Sequence, residues 1–499
     1  MSFIARQYTD FMVDEERGVL RMSILKINAL SAIDANRDRL YGMSDSIWDH
    51  PEVCYHEAYA AGLFCQALRE EGFEVRTRQA GIETAFSGSF GHGSPVIGIL
   101  GEFDAVPGLS QAAGIAAQKA IVEGGAGHGC GHNLLGVGSL AAAIAVKRYL
   151  EESGAPGTVR FFGCPAEEGG AGKGFMARDG VFGGLDIALS WHPGDVHAVS
   201  CESSMANYQI CYRFYGTASH AAMSPEFGRS ALDALELMNT GVQYLREHVP
   251  PNTRIHYAIT NAGGNSPGIV QPYAEALYLI RAPRLPQVRE LYGRVNKIAQ
   301  GAALMTETRV ETEFVKACSD TVLNTELLRV LQRNMEQVAR EPISEEDEGF
   351  ARSLRATQRD RTTYFEDLAA DVRDPEERAR LERDAASQIH DIVMPFPVEK
   401  QGFASSDVGD VSYLCPVAQV TVATMPAGTA MHSWQAVAAG KSGSAKRGML
   451  YAAKVLAAAA IDALEDASII ERAKRELEQR TRGEAYVSPI PADVKPRIP

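Results

Sequence analysis

A thiol and an imidazole stand two residues apart at Cys130 and His132, inside the glycine-rich run 127–133 (GHGCGHN). Glycines let a backbone turn tightly, so that a thiolate and an imidazole face one ion. A lone Cys-x-His is weak evidence for metal binding. Residues 165–173 (PAEEGGAGK) add an acid pair, in which Glu168 can bind metal while the adjacent Glu167 points toward a substrate. Two further imidazoles stand in Trp191-His192-Pro193 and Met431-His432-Ser433. One histidine by itself is more often structural than a ligand. All four motifs, however, follow short apolar runs that read as strands, and open α/β sheets place their ligand crevice beyond strand ends. Independent accidents are a poor explanation of that coincidence.

The elements that must position these residues follow from periodicity. Residues 57–71 (EAYAAGLFCQALREE) are spaced as an amphipathic helix, and 134–150 form an Ala-rich apolar helix ended near Gly154. The runs 96–100, 158–163 (TVRFFG), 187–191 (IALSW) and 419–424 (QVTVAT) read as buried strands. Strands alternating with helices imply an α/β layer with a mostly parallel sheet. Residues 206–315 change rhythm to strand, helix, strand, strand, helix, strand, the split ferredoxin-like arrangement. The expected organisation is two-domain: an α/β unit in two pieces, 1–205 and 321–499, around an inserted βαββαβ unit at 206–320. The highly charged stretch 341–400 reads as solvated surface helices or as an interface or lid segment. The tail 486–499, with four prolines, is expected to run extended over the surface.

A chain of 499 residues exceeds what one core usually serves. Its 49 basic and 63 acidic side chains give a formal net charge of -14, which argues against a nucleic-acid partner. Met1 to Asp10 lack the pattern of a secretory signal, and no run approaches 18 apolar residues, so a cytoplasmic protein without a membrane span is expected. Eight scattered cysteines form no disulfide framework.

The Cys-Gly-His, Glu-Glu and Trp-His-Pro blocks, in this order and around an inserted βαββαβ unit, resemble peptidase family M20, specifically its amidohydrolase subfamily and the p-aminobenzoyl-glutamate-like and indole-acetyl-conjugate branches. That resemblance implies that Cys130, His132, Glu168, His192 and His432 ligate two divalent ions per subunit, with Cys130 as the bridge. It implies that Glu167 is the catalytic acid/base. Such ions polarise a scissile carbonyl and acidify water, whose proton Glu167 takes and returns to the departing nitrogen. Imidazole and carboxylate suit zinc, manganese, nickel or cobalt, and the thiolate tilts the choice toward zinc.

In 101–108 (GEFDAVPG), Glu102 stands where other branches carry a ligand histidine and is not counted as a ligand; a structural turn residue is the competing reading. Asp104 reads as a carboxylate that orients a metal-bound imidazole. In 216–229 (GTASHAAMSPEFGR), His220 resembles the histidine that reaches the partner subunit's site and stabilises an oxyanion, or else it caps the next helix. The inserted unit would then serve dimerisation and act as a lid, in a homodimer or higher oligomer. Arg229 pairs with a substrate carboxylate or caps the helix region. Asn133 replaces the usual aspartate, and Gly268 in 268–271 (GIVQ) replaces an asparagine that helps dock substrate, for which Asn261 or Asn265 could compensate. Asp407 and Asp410, in the loop 404–413, are assigned no catalytic role. The expected reaction is hydrolysis of a small N-acyl amino acid, with an aromatic acyl group and an acidic amino acid such as glutamate or aspartate suggested by the resemblance. A dipeptidase or aminopeptidase on the same scaffold, and a non-catalytic partner subunit, are the competing readings.

Overall fold

The computed structural model describes residues 22–358 and 363–498; the Met1 to Asp10 segment lies outside them. Thirteen strands are described: β1 Glu74–Thr77, β2 Phe86–His92, β3 Val96–Glu102, β4 Gly157–Cys164, β5 Ile187–Gly194, β6 Ala198–Val199, β7 Glu202–Ser203, β8 Ala206–Tyr215, β9 Arg254–Asn261, β10 Tyr273–Ala282, β11 Arg309–Cys318, β12 Lys400–Gln401 and β13 Val417–Ala423. The larger sheet has the order β1-β2-β4-β3-β5-β13-β6. Its central strands β4, β3, β5 and β13 pair in parallel, and both flanks are antiparallel. The fold is thus α/β with a sheet that is parallel in its core, and the four C-terminal strand ends open on one side.

The helix His132–Ser153 covers this sheet together with the Ala-rich helix Gly443–Glu465. Both are buried over most of their length, which explains why neither shows a polar face to the solvent. Phe64 from the helix Ala58–Glu70, Phe86 of β2, Phe161 of β4 and Phe103 just past β3 stack as one aromatic cluster, with centroids 5.5 to 6.1 Å apart. Burying a Phe side chain contributes on the order of 2–3 kcal/mol. Here it also locks Phe103, so that Glu102 and Asp104, alternating with it, turn the other way.

The smaller sheet, in the order β11-β8-β10-β9, is antiparallel throughout. The helices Ala231–Leu245 and Leu285–Met305 cover one side of it. Strand, helix, strand, strand, helix, strand is therefore the observed order, and β9 is an edge strand whose residues from His256 to Asn261 are all exposed.

Two segments make packing contacts that the sequence reading does not specify. Within 341–400 the helices Glu345–Arg355, Tyr364–Ala369 and Pro375–Asp384 are not merely solvated, because Leu354, Phe365, Leu368 and Leu381 are buried in satellite clusters against the α/β unit. Few apolar residues suffice when each faces inward. The tail lacks regular structure, yet Ile490 is buried and Tyr486 donates to Asp410. Among the described residues no helix is long and apolar enough to cross a membrane.

Gly136, inside the helix His132–Ser153, fixes how close that helix comes to β3. A Cβ there would lie 2.7 Å from the Glu102 carbonyl oxygen and 2.6 Å from Phe64. Alanine gains about 1 kcal/mol of helix propensity, but overpacking typically costs about 1–3 kcal/mol. With a backbone carbonyl as one of the close contacts, the cost falls toward the upper end of that range, and Gly136→Ala is expected to lower the urea midpoint with a net loss of up to about 2 kcal/mol. A raised midpoint would show that the helix has room to spare.

Candidate metal centre

Cys130 ends the loop that follows β3, and His132 opens the helix His132–Ser153. Between them Gly131 adopts φ 73, a left-handed conformation that glycine enters without strain. A Cβ on it would meet Pro193 at 2.9 Å, so the glycine lets this loop press against the end of β5, where His192 sits. Glu167 and Glu168 follow β4 in a turn that includes Ala166 at φ 61, and His432 follows β13 at φ 55. Left-handed backbone at a non-glycine residue costs on the order of 1–2 kcal/mol, and it recurs here beside the carboxylate pair and at the fourth motif.

The structure brings the four motifs together. Three groups have donor atoms that all lie within 4.8 Å of one another: Cys130, His132 and His192; Cys130, Glu168 and His432; and Glu102, His132 and Glu167. Cys130 belongs to the first two, so one sulfur faces both. Its Sγ is 3.4 Å from His192 Nε2, while Glu168 Oε2 is 3.1 Å from His432 Nε2. Two buried atoms, His132 Nε2 and Glu168 Oε1, make no hydrogen bond. His132 Nε2 does stand 3.3 Å from Glu102 Oε2, a charge contact without hydrogen-bond geometry. Buried polar atoms without a partner are rare in folded proteins, and a set of thiol, imidazole and carboxylate fits a divalent transition ion.

Behind these groups, Asp104 bridges two of them: Oδ1 lies 2.9 Å from His132 Nδ1, and Oδ2 accepts from the Glu168 backbone N–H at 2.9 Å. Fixing Nδ1 in this way presents Nε2 to the cluster. Glu57 accepts from the Ala166 N–H at 2.9 Å, steadying the turn before Glu167. A fully buried lysine, Lys173, places its Nζ 2.7 Å from Glu102 and 2.5 Å from Asp407.

Electrostatics follow this crowding. Burial pushes the Cys130 thiol up, but the facing imidazoles of His192 and His132 bring it down to about 6. Hydrogen bonds to Cys130 and Glu168 carry His432 up to about 10. Burial opposes the charge on His192, yet Cys130 raises it to about 9. Burial likewise resists ionisation of Glu168, but His432 and His132 hold it down to about 2. Glu167 behaves oppositely: burial, then the carboxylates of Glu102 and Asp407, push it up to about 8. Positive charge added to the cluster lowers the pKa of such a carboxyl.

The remaining candidates lie apart, in the inserted unit. His220 is exposed, and its Nδ1 accepts from the N–H groups of Ala222 (3.2 Å) and Met223 (3.0 Å). Arg229 is engaged by Glu307 at 2.9 Å and by the carbonyls of Glu226 and Gly228. Asn261 accepts from the Gly263 N–H at 2.8 Å, and Asn265 is exposed. Sequence reasoning passed over Lys173 and Asp407 as a working pair, although both stand in quoted motifs. Nothing in local spacing links residues 234 positions apart. Asp410 is fully buried, accepting from Ser319 and Tyr486.

Known proteins are similar to this chain in sequence and in fold. The family described as Peptidase family M20/M25/M40 matches residues 98–384. A protein of Escherichia coli strain K12, named as a subunit of p-aminobenzoyl-glutamate hydrolase, is 44% identical over 467 residues, covering 93% of this chain and 97% of that one. The Mus musculus protein named Xaa-Arg dipeptidase is 31% identical over 339 residues, 65% of this chain and 74% of its own. In fold, the chain is similar to the crystal structure of a dinuclear metal-binding peptidase of the M20 family from Bacillus subtilis, with TM-score 0.52 and 17% identity over 87% of this chain and 99% of that chain. With a family match over more than half its length and a relative aligned almost end to end, the chain belongs to peptidase family M20/M25/M40 and is a hydrolytic enzyme.

Proposed function

We propose that the protein hydrolyses the amide bond of a small N-acyl amino acid, using two divalent ions held by Cys130, His132, His192, Glu168 and His432. The observation that carries this reading is the sharing of Cys130 Sγ between two donor triads, with Glu167 beside them. When bound, a pair of divalent ions supplies Lewis acidity toward the scissile carbonyl and lowers the pKa of water. Zinc suits the thiolate-containing set, with manganese, nickel or cobalt as alternatives. Glu167 accepts the proton of the attacking water and delivers it to the leaving nitrogen. Asp104 keeps His132 oriented, and Lys173 neutralises Glu102 and Asp407 beneath the site.

An acyl-glutamate with an aromatic acyl group is the substrate class favoured by the Escherichia coli relative's name, and an acyl-aspartate is its shorter-chain counterpart. The mouse relative's name supports a second reading, a dipeptidase on the same site, and turnover of acylated against free-amine substrates separates the two. For the substrate carboxylate, Arg229 would have to exchange Glu307 for the ligand, whereas Asn261 and Asn265 keep amide donors free.

A homodimer completes the site in this reading. Edge strand β9 exposes Tyr257 and Ile259, and Met223, Phe227 and Ile269 are exposed around His220; an unpaired apolar edge is a template for association. Because Nδ1 of His220 accepts backbone N–H groups, its Nε2 carries the proton and can donate to an oxyanion in the neighbouring subunit. The Escherichia coli relative's designation as one subunit of a hydrolase makes a second, homologous chain the other candidate partner. We place the enzyme in the cytoplasm, consistent with eight free cysteines, seven of them buried.

Glu167→Gln is expected to retain both ions and the fold while lowering kcat by on the order of 10²–10⁴, the usual worth of a general base. Metal analysis and steady-state kinetics on an acyl-glutamate check this, and near-normal turnover would remove Glu167 from the chemistry. His220→Ala should also be nearly inactive with its ions in place. Co-refolding it with Glu167→Gln should restore roughly a quarter of wild-type activity, since half of random dimers are mixed and each has one intact site. No recovery in verified mixed dimers would mean that His220 does not serve the partner.

A further inference from the structure

The charged insertion has an inner face whose position relative to the metal centre calls for a role. Of the five proposed ligands, His432 is the most exposed, with 51% of its side chain open, and it stands in left-handed backbone at φ 55. His132 is fixed by its helix and Asp104. His432 is tied to the Cys130 loop by its own N–H bond to the Gly129 carbonyl, 2.9 Å, and by its imidazole's hydrogen bond to Cys130. The turn that carries it, residues 425–432, is held by Asp195, which accepts from the Gly428 N–H at 2.8 Å, and also from the far side. The Ala427 N–H donates to the Gln388 carbonyl at 2.9 Å. The Gln358 carboxamide, oriented to satisfy both its ends, donates to the Ala427 and Gly428 carbonyls at 3.2 Å and accepts from the Thr429 hydroxyl at 2.9 Å. Fully buried Leu354 packs with Met425 and with Ala436 and Ala438, on either side of the turn, and half-buried Met431 joins that cluster. Gln358, Gln388 and Leu354 all belong to the insertion.

We infer that the 341–400 insertion is the outer wall of the metal centre: it clamps the 425–432 turn in the conformation that presents His432 to Glu168 and Cys130, and so sets how tightly the ion on that side is held. Leu354 and Gln358 are positioning residues that touch neither ion nor substrate. A left-handed residue next to solvent persists only where its surroundings over-determine it, and here the insertion adds its contacts to those that Asp195 and Gly129 of the α/β unit make with the turn. The first triad, Cys130 with His132 and His192, rests on the helix and β5 and does not depend on this clamp. The inference stands on the ligand assignment made above.

The test titrates metal-stripped protein with Co²⁺, following thiolate-to-cobalt absorption and competition with a chromophoric chelator. Wild type takes up two ions. Leu354→Ala and Gln358→Ala should bind one ion with wild-type affinity and the other about tenfold more weakly or worse, as when partners supporting a metal ligand are lost. Leu354→Met, which refills the space, should restore it. Leu235→Ala, in the helix Ala231–Leu245 of the inserted unit, leaves a comparable cavity elsewhere and should leave both affinities unchanged. Gln358→Ala, a polar change at a half-buried site, keeps the test open should Leu354→Ala fail to fold. Two wild-type affinities in Gln358→Ala, or equal weakening in Leu235→Ala, would overturn the inference. Failure of wild type itself to bind two ions would instead overturn the ligand assignment.

Discussion

Buried negative charge is the constraint around which this molecule is organised. The side chains of Glu102, Asp104, Glu167, Glu168 and Asp407 converge with the thiol of Cys130 at the strand ends of one sheet, and one buried ammonium, Lys173, answers them directly. Isolated charges in such surroundings cost several kcal/mol each unless paired. The histidines respond by holding protons well above their usual range, and Glu167 responds by resisting ionisation. On the proposed reading, divalent cations take over the compensation that protons supply, which couples metal loading to stability.

The scaffold makes that convergence possible by drawing donors from elements that cannot move independently. The parallel core of the sheet delivers Glu102, the Glu167-Glu168 turn, His192 and the His432 turn to one edge, and the helix beginning at His132 closes over it. Aromatic packing around Phe103 and the tight approach at Gly136 tie β3 to that helix. The inserted unit stands outside this machinery within one chain, since every hydrogen bond described for His220, Arg229 and Asn261 stays within it. On the proposed reading, its contribution to the chemistry depends on association.

Much of this was legible from the sequence because the signals were local. Buried strands announce themselves as apolar runs, the βαββαβ order as a change of period, and the candidate donors as motifs placed after strands. What was not legible depends on distance or on context. Lys173 reads as the end of a glycine-rich turn until Asp407 is brought to it from the other piece of the α/β unit. The helix Gly443–Glu465 has no polar face for periodicity to detect, being buried nearly all round. The antiparallel flank of β1 and β2 carries short, mixed sequences without a strong pattern. The insertion reads as solvated helices or as an interface or lid segment because its inner face rests on single residues such as Leu354, Phe365 and Leu381, too few to mark composition.

The most direct test of the proposed metal centre is an anomalous-difference map from a crystal of the zinc-loaded protein, collected at the zinc edge. Two peaks are expected to flank Cys130 Sγ, one among His132 and His192 and one among Glu168 and His432. No peak there, or zinc bound only elsewhere, would contradict the shared-thiolate centre on which the proposed chemistry rests.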